Sequence, residues 1–162
     1  MEKFILIFLT LISLYIPAHS SFKFDYQYPS VFYKSINICE DQRFFDAYYI
    51  GIKEESLKEY IKIFVEATEL TQFRIDGFDC DNYAMLFKTL SNVYNDKVKQ
   101  SFEIAIGVAL VDMKKDALGI KASFKHAVNI VWTDKGWLIV EPQNGQYCKL
   151  EDYPNEINWV LF

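Results

Sequence analysis

The sequence has few of the residues that build metal sites. Its 162 residues include only three cysteines and two histidines, and none of them shows CxxC or HxxxH spacing. Structural zinc sites use about four such ligands at short spacing, so we do not expect zinc. Asp79 and Asp81 lack the spacing of an EF-hand loop, although calcium held by this pair as a structural ion stays an alternative. We expect no other cofactor.

The chain also has no block of lysine or arginine, and its formal net charge is −5. A mildly acidic protein is a poor partner for nucleic acid or for an anionic membrane surface. We therefore expect no nucleic-acid partner and no stable membrane association after export. Internal repeats, low-complexity tracts and linkers are absent as well, and the length suits one domain. We expect residues 21–162 to form that single domain.

One long apolar run is present, at the N-terminus. Lys3 precedes an apolar stretch over residues 4–16, Pro17 ends it, and Ala18-His19-Ser20 places small residues where a signal peptidase cuts. A membrane-spanning helix needs about 20 apolar residues, and no cysteine follows the run to carry a lipid. Residues 1–20 are therefore interpreted as a signal peptide, and the protein as secreted or periplasmic. An uncleaved anchor is the alternative.

The exported chain keeps an odd number of cysteines, Cys39, Cys80 and Cys148. An odd count implies at least one free thiol or an intermolecular bridge. Cys80 has a chemical reason to be free, because it lies at a predicted helix start, where a thiolate is favoured. Cys39 and Cys148 are then left as a possible disulfide, which an oxidising compartment permits but which the sequence alone does not establish.

Two amphipathic helices and several strands are predicted. Apolar residues recur at helical spacing over residues 54–70 and again from Asp79 to about residue 92. Residues 21–50 are aromatic and irregular, and we expect a wrapping segment with one short helix there. The predicted strands are 102–111, 124–132, 136–141 and 157–162. Helices followed by strands favour an α+β fold with an antiparallel sheet over a parallel βαβ fold.

Cys80 lies at the start of the second predicted helix. A helix N-terminus favours a thiolate, whereas the flanking Asp79 and Asp81 disfavour a further negative charge. A reactive thiol at this position needs a histidine within reach. His126 is the only histidine that remains after residue 20, so it is the candidate partner.

The third candidate depends on the register of a predicted hairpin. If its turn has two loop residues, His126 lies opposite Gln143, and Glu141 lies on the same face one diagonal step away, at about 7–8 Å. If the turn has three, Asn144 lies opposite His126 and Glu141 points to the other face. Glu141 is the first choice for the orienting residue, and Gln143 and Asn144 are secondary candidates.

Three segments carry a resemblance to a known family. They are Asp79-Cys80-Asp81-Asn82-Tyr83-Ala84, His126-Ala127-Val128-Asn129 and residues 136–144, which end in Glu141-Pro142-Gln143-Asn144. Together they resemble the papain/transglutaminase-like cysteine enzymes, and the Glu-Pro-Gln motif resembles the papain-like C-terminal domain of Marasmius-type fungal agglutinins. This resemblance implies a papain/transglutaminase-like core, in which the helix that carries Cys80 packs on an antiparallel sheet.

The resemblance also implies an acyl-transfer enzyme acting on a protein or peptide substrate. Cys80 would be the nucleophile, His126 the general base and then acid, and Glu141 the orienting residue, while Gln72 is the nearest candidate for an oxyanion-hole donor. Water would give a cysteine peptidase or amidase, and an amine would give a transglutaminase. The alternative from another class is a secreted binding or immunity-type module without catalysis.

Overall fold

The computed structural model describes residues 22, 24–32, 36–46, 48–68, 79–96 and 102–162. The predicted signal peptide at residues 1–20 and the candidate Gln72 lie outside these ranges. The described residues form two α-helices, α1 (Glu54–Thr68) and α2 (Cys80–Asp96), together with nine strands. The strands are β1 (Tyr26–Phe32), β2 (Asp41–Arg43), β3 (Tyr48–Ile52), β4 (Glu103–Ile104), β5 (Ile106–Asp112), β6 (Lys125–Thr133), β7 (Gly136–Val140), β8 (Tyr147–Lys149) and β9 (Glu156–Leu161).

Both helices form where apolar side chains recur every three or four residues. In α1 the buried positions include Leu57, Tyr60, Ile61 and Phe64, so one face of the helix is apolar. The equivalent face of α2 buries, among others, Tyr83, Ala84, Phe87 and Leu90. The two predicted helices are therefore confirmed, and the four predicted C-terminal strands are found as β4–β5, β6, β7 and β9.

The nine strands form one mixed sheet. Its main path runs β1-β3-β6-β5-β9-β2, with β4 beside β3, and with β7 pairing with both β6 and β8. Antiparallel pairs dominate, but β2 is parallel to β9, and β3 is parallel to β4 and contacts β6 in the same sense. Two strands from the first third of the chain, β2 and β3, therefore pair with β9 and β6 from its last third.

Two sequence-based expectations about the fold are wrong. In segment 21–50 the described residues do not form an irregular wrapping segment with a helix, because they contain β1, β2 and the first part of β3. The expected antiparallel papain/transglutaminase-like core is wrong as well, because the described residues are mostly sheet with two α-helices and the sheet is mixed. These strands are short, and their partners are distant in sequence, so local periodicity did not reveal them.

Apolar clusters lie on both sides of the sheet. One joins the two helices to the sheet through an aromatic group centred on Tyr60, whose ring lies 4.7 Å from that of Phe87. The other contains Tyr49, Met113 and Phe162 and carries the partly buried Trp132 and Trp137 at its edge. Most aromatic side chains therefore serve packing.

Polar contacts within the interior fix α2 on the sheet. The Asn129 side-chain amide donates to the carbonyl oxygens of Ala84 in α2 and Gly107 in β5, at 2.9 and 3.1 Å. The Lys88 ammonium lies 2.8 Å from a Glu103 carboxylate oxygen and ties the same helix to β4. Because both pairs are largely buried, they hold the helix at a definite height and rotation. This placement decides where Cys80 lies.

Neither α1 nor α2 is long and apolar enough to cross a membrane, and the same holds for every helix in the described ranges.

Candidate functional site

Cys80 is the first residue of α2, as the sequence predicted. The helix begins with a backbone hydrogen bond from Tyr83 to the carbonyl oxygen of Asp79, at 3.1 Å. In addition, the side-chain oxygen of Asn82 accepts a hydrogen bond from the backbone N–H of Asp79 at 3.2 Å. This is the reciprocal half of a capping box, with Asn at the third position. Cys80 is partly buried and packs against Ala84 and its neighbours in the sheet.

His126 and Glu141 form a short buried contact. The imidazole Nε2 lies 2.6 Å from Glu141 Oε2, and the two residues are only 7% and 1% exposed. The β6–β7 turn has two loop residues, since Thr133 pairs with Gly136. The two-residue register is therefore confirmed, and it brings Glu141 to the imidazole as the hairpin argument predicted.

The protonation state of His126 follows from its surroundings. Burial disfavours the imidazolium, but hydrogen bonds with Cys80 and Glu141 outweigh burial and raise the pKa of His126 to about 9. At neutral pH the ring is therefore a cation that lies between the Cys80 thiol and the Glu141 carboxylate. The three predicted residues meet at one place, although they come from a helix, a strand and a turn.

The secondary candidates have other partners. The backbone N–H of Gln143 donates to Glu141 Oε1 at 3.1 Å, so Gln143 holds the carboxylate through its backbone. The Asn144 side chain donates to the carbonyl oxygen of Leu118 at 2.8 Å and accepts the N–H of Gln146 at the same distance. Asn144 therefore ties the Glu141 turn to the loop after β5. Gln72 lies outside the described residues.

The loop between β5 and β6, residues 113–124, borders this cluster, and the sequence analysis did not single it out. Its tip is a tight turn in which Leu118 and Gly119 both have positive φ, 49° and 78°. Ala117 and Ile120 pair across the turn, with N···O distances of 3.0 and 2.9 Å. The dipeptide Leu118-Gly119 between polar stretches was the available sequence signal, because glycine favours such a turn.

Metal binding is not indicated by the side-chain geometry. Within the described ranges no group of three or more His, Cys, Asp or Glu side chains is placed to hold a metal ion. Asp79 and Asp81 instead hydrogen-bond to each other, and this contact raises the pKa of Asp79. Calcium at this pair stays a prediction.

The cysteines are all free thiols. Cys39, Cys80 and Cys148 are partly buried and form no disulfide. The possible bridge between Cys39 and Cys148 is therefore not present. Burial raises the pKa of both of these thiols, so each behaves as a small apolar side chain at the edge of the second cluster.

Comparison with known proteins gives a likeness in structure only. No family model and no curated protein matches the sequence. A solved structure of Polyporus squamosus lectin bound to the human-type influenza-binding epitope Neu5Acα2-6Galβ1-4GlcNAc is similar, with a TM-score of 0.59 and 19% identity over 76% of this chain and 43% of the lectin chain. A PSL1a–E64 complex is also similar, with a TM-score of 0.61 and 20% identity over 80% of this chain and 47% of that one.

These likenesses correct the sequence-based assignment. The chain has the fold seen in lectin structures, so the papain- or transglutaminase-like fold class is wrong. The assignments as cysteine (thiol) protease, hydrolase or transglutaminase rested on that fold class and are contradicted with it. The chain spans less than half the length of the two chains that it matches.

The structural likenesses also bear on the binding partners that the sequence predicted. The Polyporus squamosus lectin has a glycan as its ligand, which is neither a nucleic acid nor a peptide. The expected protein or peptide substrate has no support from these likenesses.

Proposed function

We propose that this chain is an exported carbohydrate-binding module without catalytic activity. The observation that carries the proposal is the lectin-like fold, which extends over about three quarters of the chain. Export rests on the signal-peptide pattern of residues 1–20. The proposal corresponds to the binding-module alternative of the sequence analysis, with a glycan as the class of ligand.

The Cys80–His126–Glu141 cluster has a structural role in this proposal. The cluster joins three places that are far apart in the sequence. They are the start of α2, the N-terminal end of β6 and the turn after β7. An imidazolium buried beside a carboxylate is tolerated while both keep their partners, and removing either partner is strongly destabilising. The cluster therefore holds together the end of the sheet from which the β5–β6 loop projects.

Glycan binding by the full exported chain tests the proposal. Titration calorimetry with a panel of oligosaccharides, including Neu5Acα2-6Galβ1-4GlcNAc, should give saturable binding of at least one of them. Cys80→Ala should bind the same oligosaccharide with unchanged affinity, because the thiol is not required, and Cys39→Ala is the matched control for loss of a partly buried thiol. Absence of binding to every oligosaccharide at about 1 mM, where even weak complexes form, would overturn the proposal.

A further inference from the structure

The connector between β2 and β3 is anchored to the sheet through one hydroxyl group. The structure describes its residues 44–46, and the backbone N–H groups of Phe45 and Asp46 both donate to the Tyr49 hydroxyl oxygen, at 3.1 and 2.9 Å. Tyr49 belongs to β3 and is fully buried, whereas Phe45 and Asp46 are exposed. A segment with few buried contacts opens at a low cost in free energy, so one added or lost contact is enough to shift its position.

A largely buried charge cluster lies beside this anchor. Glu103 of β4 pairs in register with Tyr49. Glu103 Oε1 accepts hydrogen bonds from Lys88 Nζ at 2.8 Å and from Asn92 Nδ2 at 2.7 Å. The side chains of Lys88 and Glu103 are only 8% and 15% exposed. Both donors favour the ionised form of Glu103, because they bind its negative charge.

Asp46 contacts the same carboxylate from the connector. The Asp46 side chain hydrogen-bonds to Glu103, and two carboxyl groups form such a bond only when one of them carries a proton. Glu103 keeps its charge, because Lys88 and Asn92 donate to it, so the proton lies on Asp46. The hydrogen bond with Glu103, followed by burial and the Glu103 charge, raises the pKa of Asp46 above its ordinary value of 3.8. Burial acts to raise the pKa of Glu103, but hydrogen bonds from Asp46, Lys88 and Asn92 outweigh burial and lower this pKa.

Two other charged or titratable groups face this pair in the part of the chain that the structure describes. They are Lys88 from α2 and Tyr49 from β3. Burial raises the pKa of Tyr49, so its hydroxyl stays neutral in acidic and in neutral solution. Lys88 supplies one positive charge, which balances one carboxylate but not two. Loss of the proton from Asp46 therefore leaves two carboxylates that repel each other.

We propose that the proton shared by Asp46 and Glu103 is a pH switch, which holds the β2–β3 connector closed in mildly acidic solution and releases it near neutral pH. The inference goes beyond the proposed function and does not depend on it. Because Asp46 is exposed, it exchanges its proton directly with solvent. Release of the connector also loosens Phe44, whose ring stacks on that of Phe162 with 5.3 Å between centroids. The switch therefore changes the surface at this end of the sheet.

Amide hydrogen exchange of the full exported chain, followed by NMR, tests the switch. Protection factors of the Phe45 and Asp46 amides, corrected for the intrinsic effect of pH on exchange, are measured from about pH 4 to about pH 7.5. The closed connector favours protonated Asp46, so the protection is present in acid and is lost as the pH rises through the raised pKa of Asp46. It should fall by roughly tenfold, which corresponds to one unit of pKa. Amides in the middle of β6 should keep their protection, because the change is local.

Two substitutions of Asp46 separate the shared proton from other effects of pH. Asp46→Asn keeps a hydrogen-bond donor to Glu103 at every pH, so both connector amides should stay protected up to neutral pH. Asp46→Ala removes the donor, so their protection should be low throughout the series. Asp152→Asn is the matched control, because Asp152 is an exposed carboxylate in the short 3₁₀ helix Leu150–Asp152. This control should show the pH dependence of the wild type.

Three outcomes overturn the inference. If protection of the two connector amides in the wild type is constant or increases towards neutral pH, no shared proton holds the connector. If Asp46→Asn loses protection over the same pH range as the wild type, other groups cause the dependence. If β6 loses protection to the same extent, the whole chain responds to pH rather than the connector. No glycan enters this experiment, so its failure leaves the proposed carbohydrate-binding function untouched.

Discussion

The His126–Glu141 contact is the best-defined residue-scale feature of this protein. Its two side chains are almost fully buried, and the 2.6 Å contact is that of a charge-assisted hydrogen bond. Glu141 is held at both oxygens, because Oε1 accepts the backbone N–H of Gln143. Neither charge is left without a partner, which is the condition under which a buried ion pair is tolerated.

This pair should make stability depend on pH in the neutral to alkaline range. The folded-state pKa of His126, about 9, lies above the ordinary value of 6.5. The contribution of the pair is therefore fully present below pH 6.5 and is lost as the pH rises through about 9. Chemical denaturation followed by tryptophan fluorescence should show the free energy of unfolding falling across this window.

Glu141→Gln isolates the contribution of the pair. The variant should lose about 3 kcal/mol of stability at pH 6, because it leaves a buried histidine without its carboxylate. The difference from wild type should shrink towards pH 9.5. Glu156→Gln, which removes an exposed carboxylate paired with Lys114, should cost less than about 1 kcal/mol. A difference between wild type and Glu141→Gln that does not change with pH would contradict the assigned ionisation of His126.

The site could be predicted from sequence only where local geometry decides it. The register of the β6–β7 hairpin places Glu141 rather than Asn144 beside His126. This register follows from the length of the turn, which has two loop residues. The approach of Cys80 depends on how α2 sits on β5 and β6, which no local pattern encodes. The role of Asn144 was not predictable for the same reason, because its partner Leu118 is 26 residues away.

At the scale of elements, the Glu141 turn is tied to α1 by close packing. Gly145 has φ of 73°, and a Cβ at this position would lie 2.8 Å from Ile61 Cγ2 and 3.0 Å from Val65 Cγ2. Its N–H donates to the Glu141 carbonyl oxygen at 2.8 Å. A side chain at this position would push the turn away from the helix, and with it the carboxylate that holds His126.

Gly145→Ala should therefore destabilise the protein by about 2 kcal/mol, as overpacking of a close contact does. A double-mutant cycle with Ile61→Ala separates steric overlap from backbone strain. Removing Ile61 Cγ2 should reduce the cost of Gly145→Ala by about 1 kcal/mol, which is a typical coupling energy for residues in contact. An unchanged cost in the Ile61→Ala background would show that the packing between the turn and α1 does not determine the effect.

Elements with strong periodicity were predictable, and short paired strands were not. The spacing of Leu57, Tyr60, Ile61 and Phe64 identified α1, and two apolar stretches joined by the turn at residues 133–136 identified β6 and β7. By contrast, β2 has three residues and pairs with β9, more than a hundred residues later in the chain. The place of β2 in the sheet depends on pairing with a distant strand, and a local sequence pattern does not indicate such a partner.

At the scale of the whole molecule, the arrangement of strands decides the fold. A mixed sheet that joins β1–β3 to β5, β6 and β9 gives the fold seen in lectin structures. The cysteine, histidine and glutamate meet within this fold, yet a meeting of three side chains does not define an activity by itself. The sequence resemblance covered only the α2–β7 part of the chain, so it could not include the N-terminal strands that complete the sheet.

The most direct test of the account is turnover of amide substrates. Purified full chain is incubated with a library of fluorogenic peptide amides, beside Cys80→Ala and a buffer blank. The account predicts that wild type and Cys80→Ala release fluorophore at the same background rate as buffer, because the proposed function is ligand binding without catalysis. Release by the wild type that disappears in Cys80→Ala, with both proteins folded, would contradict it.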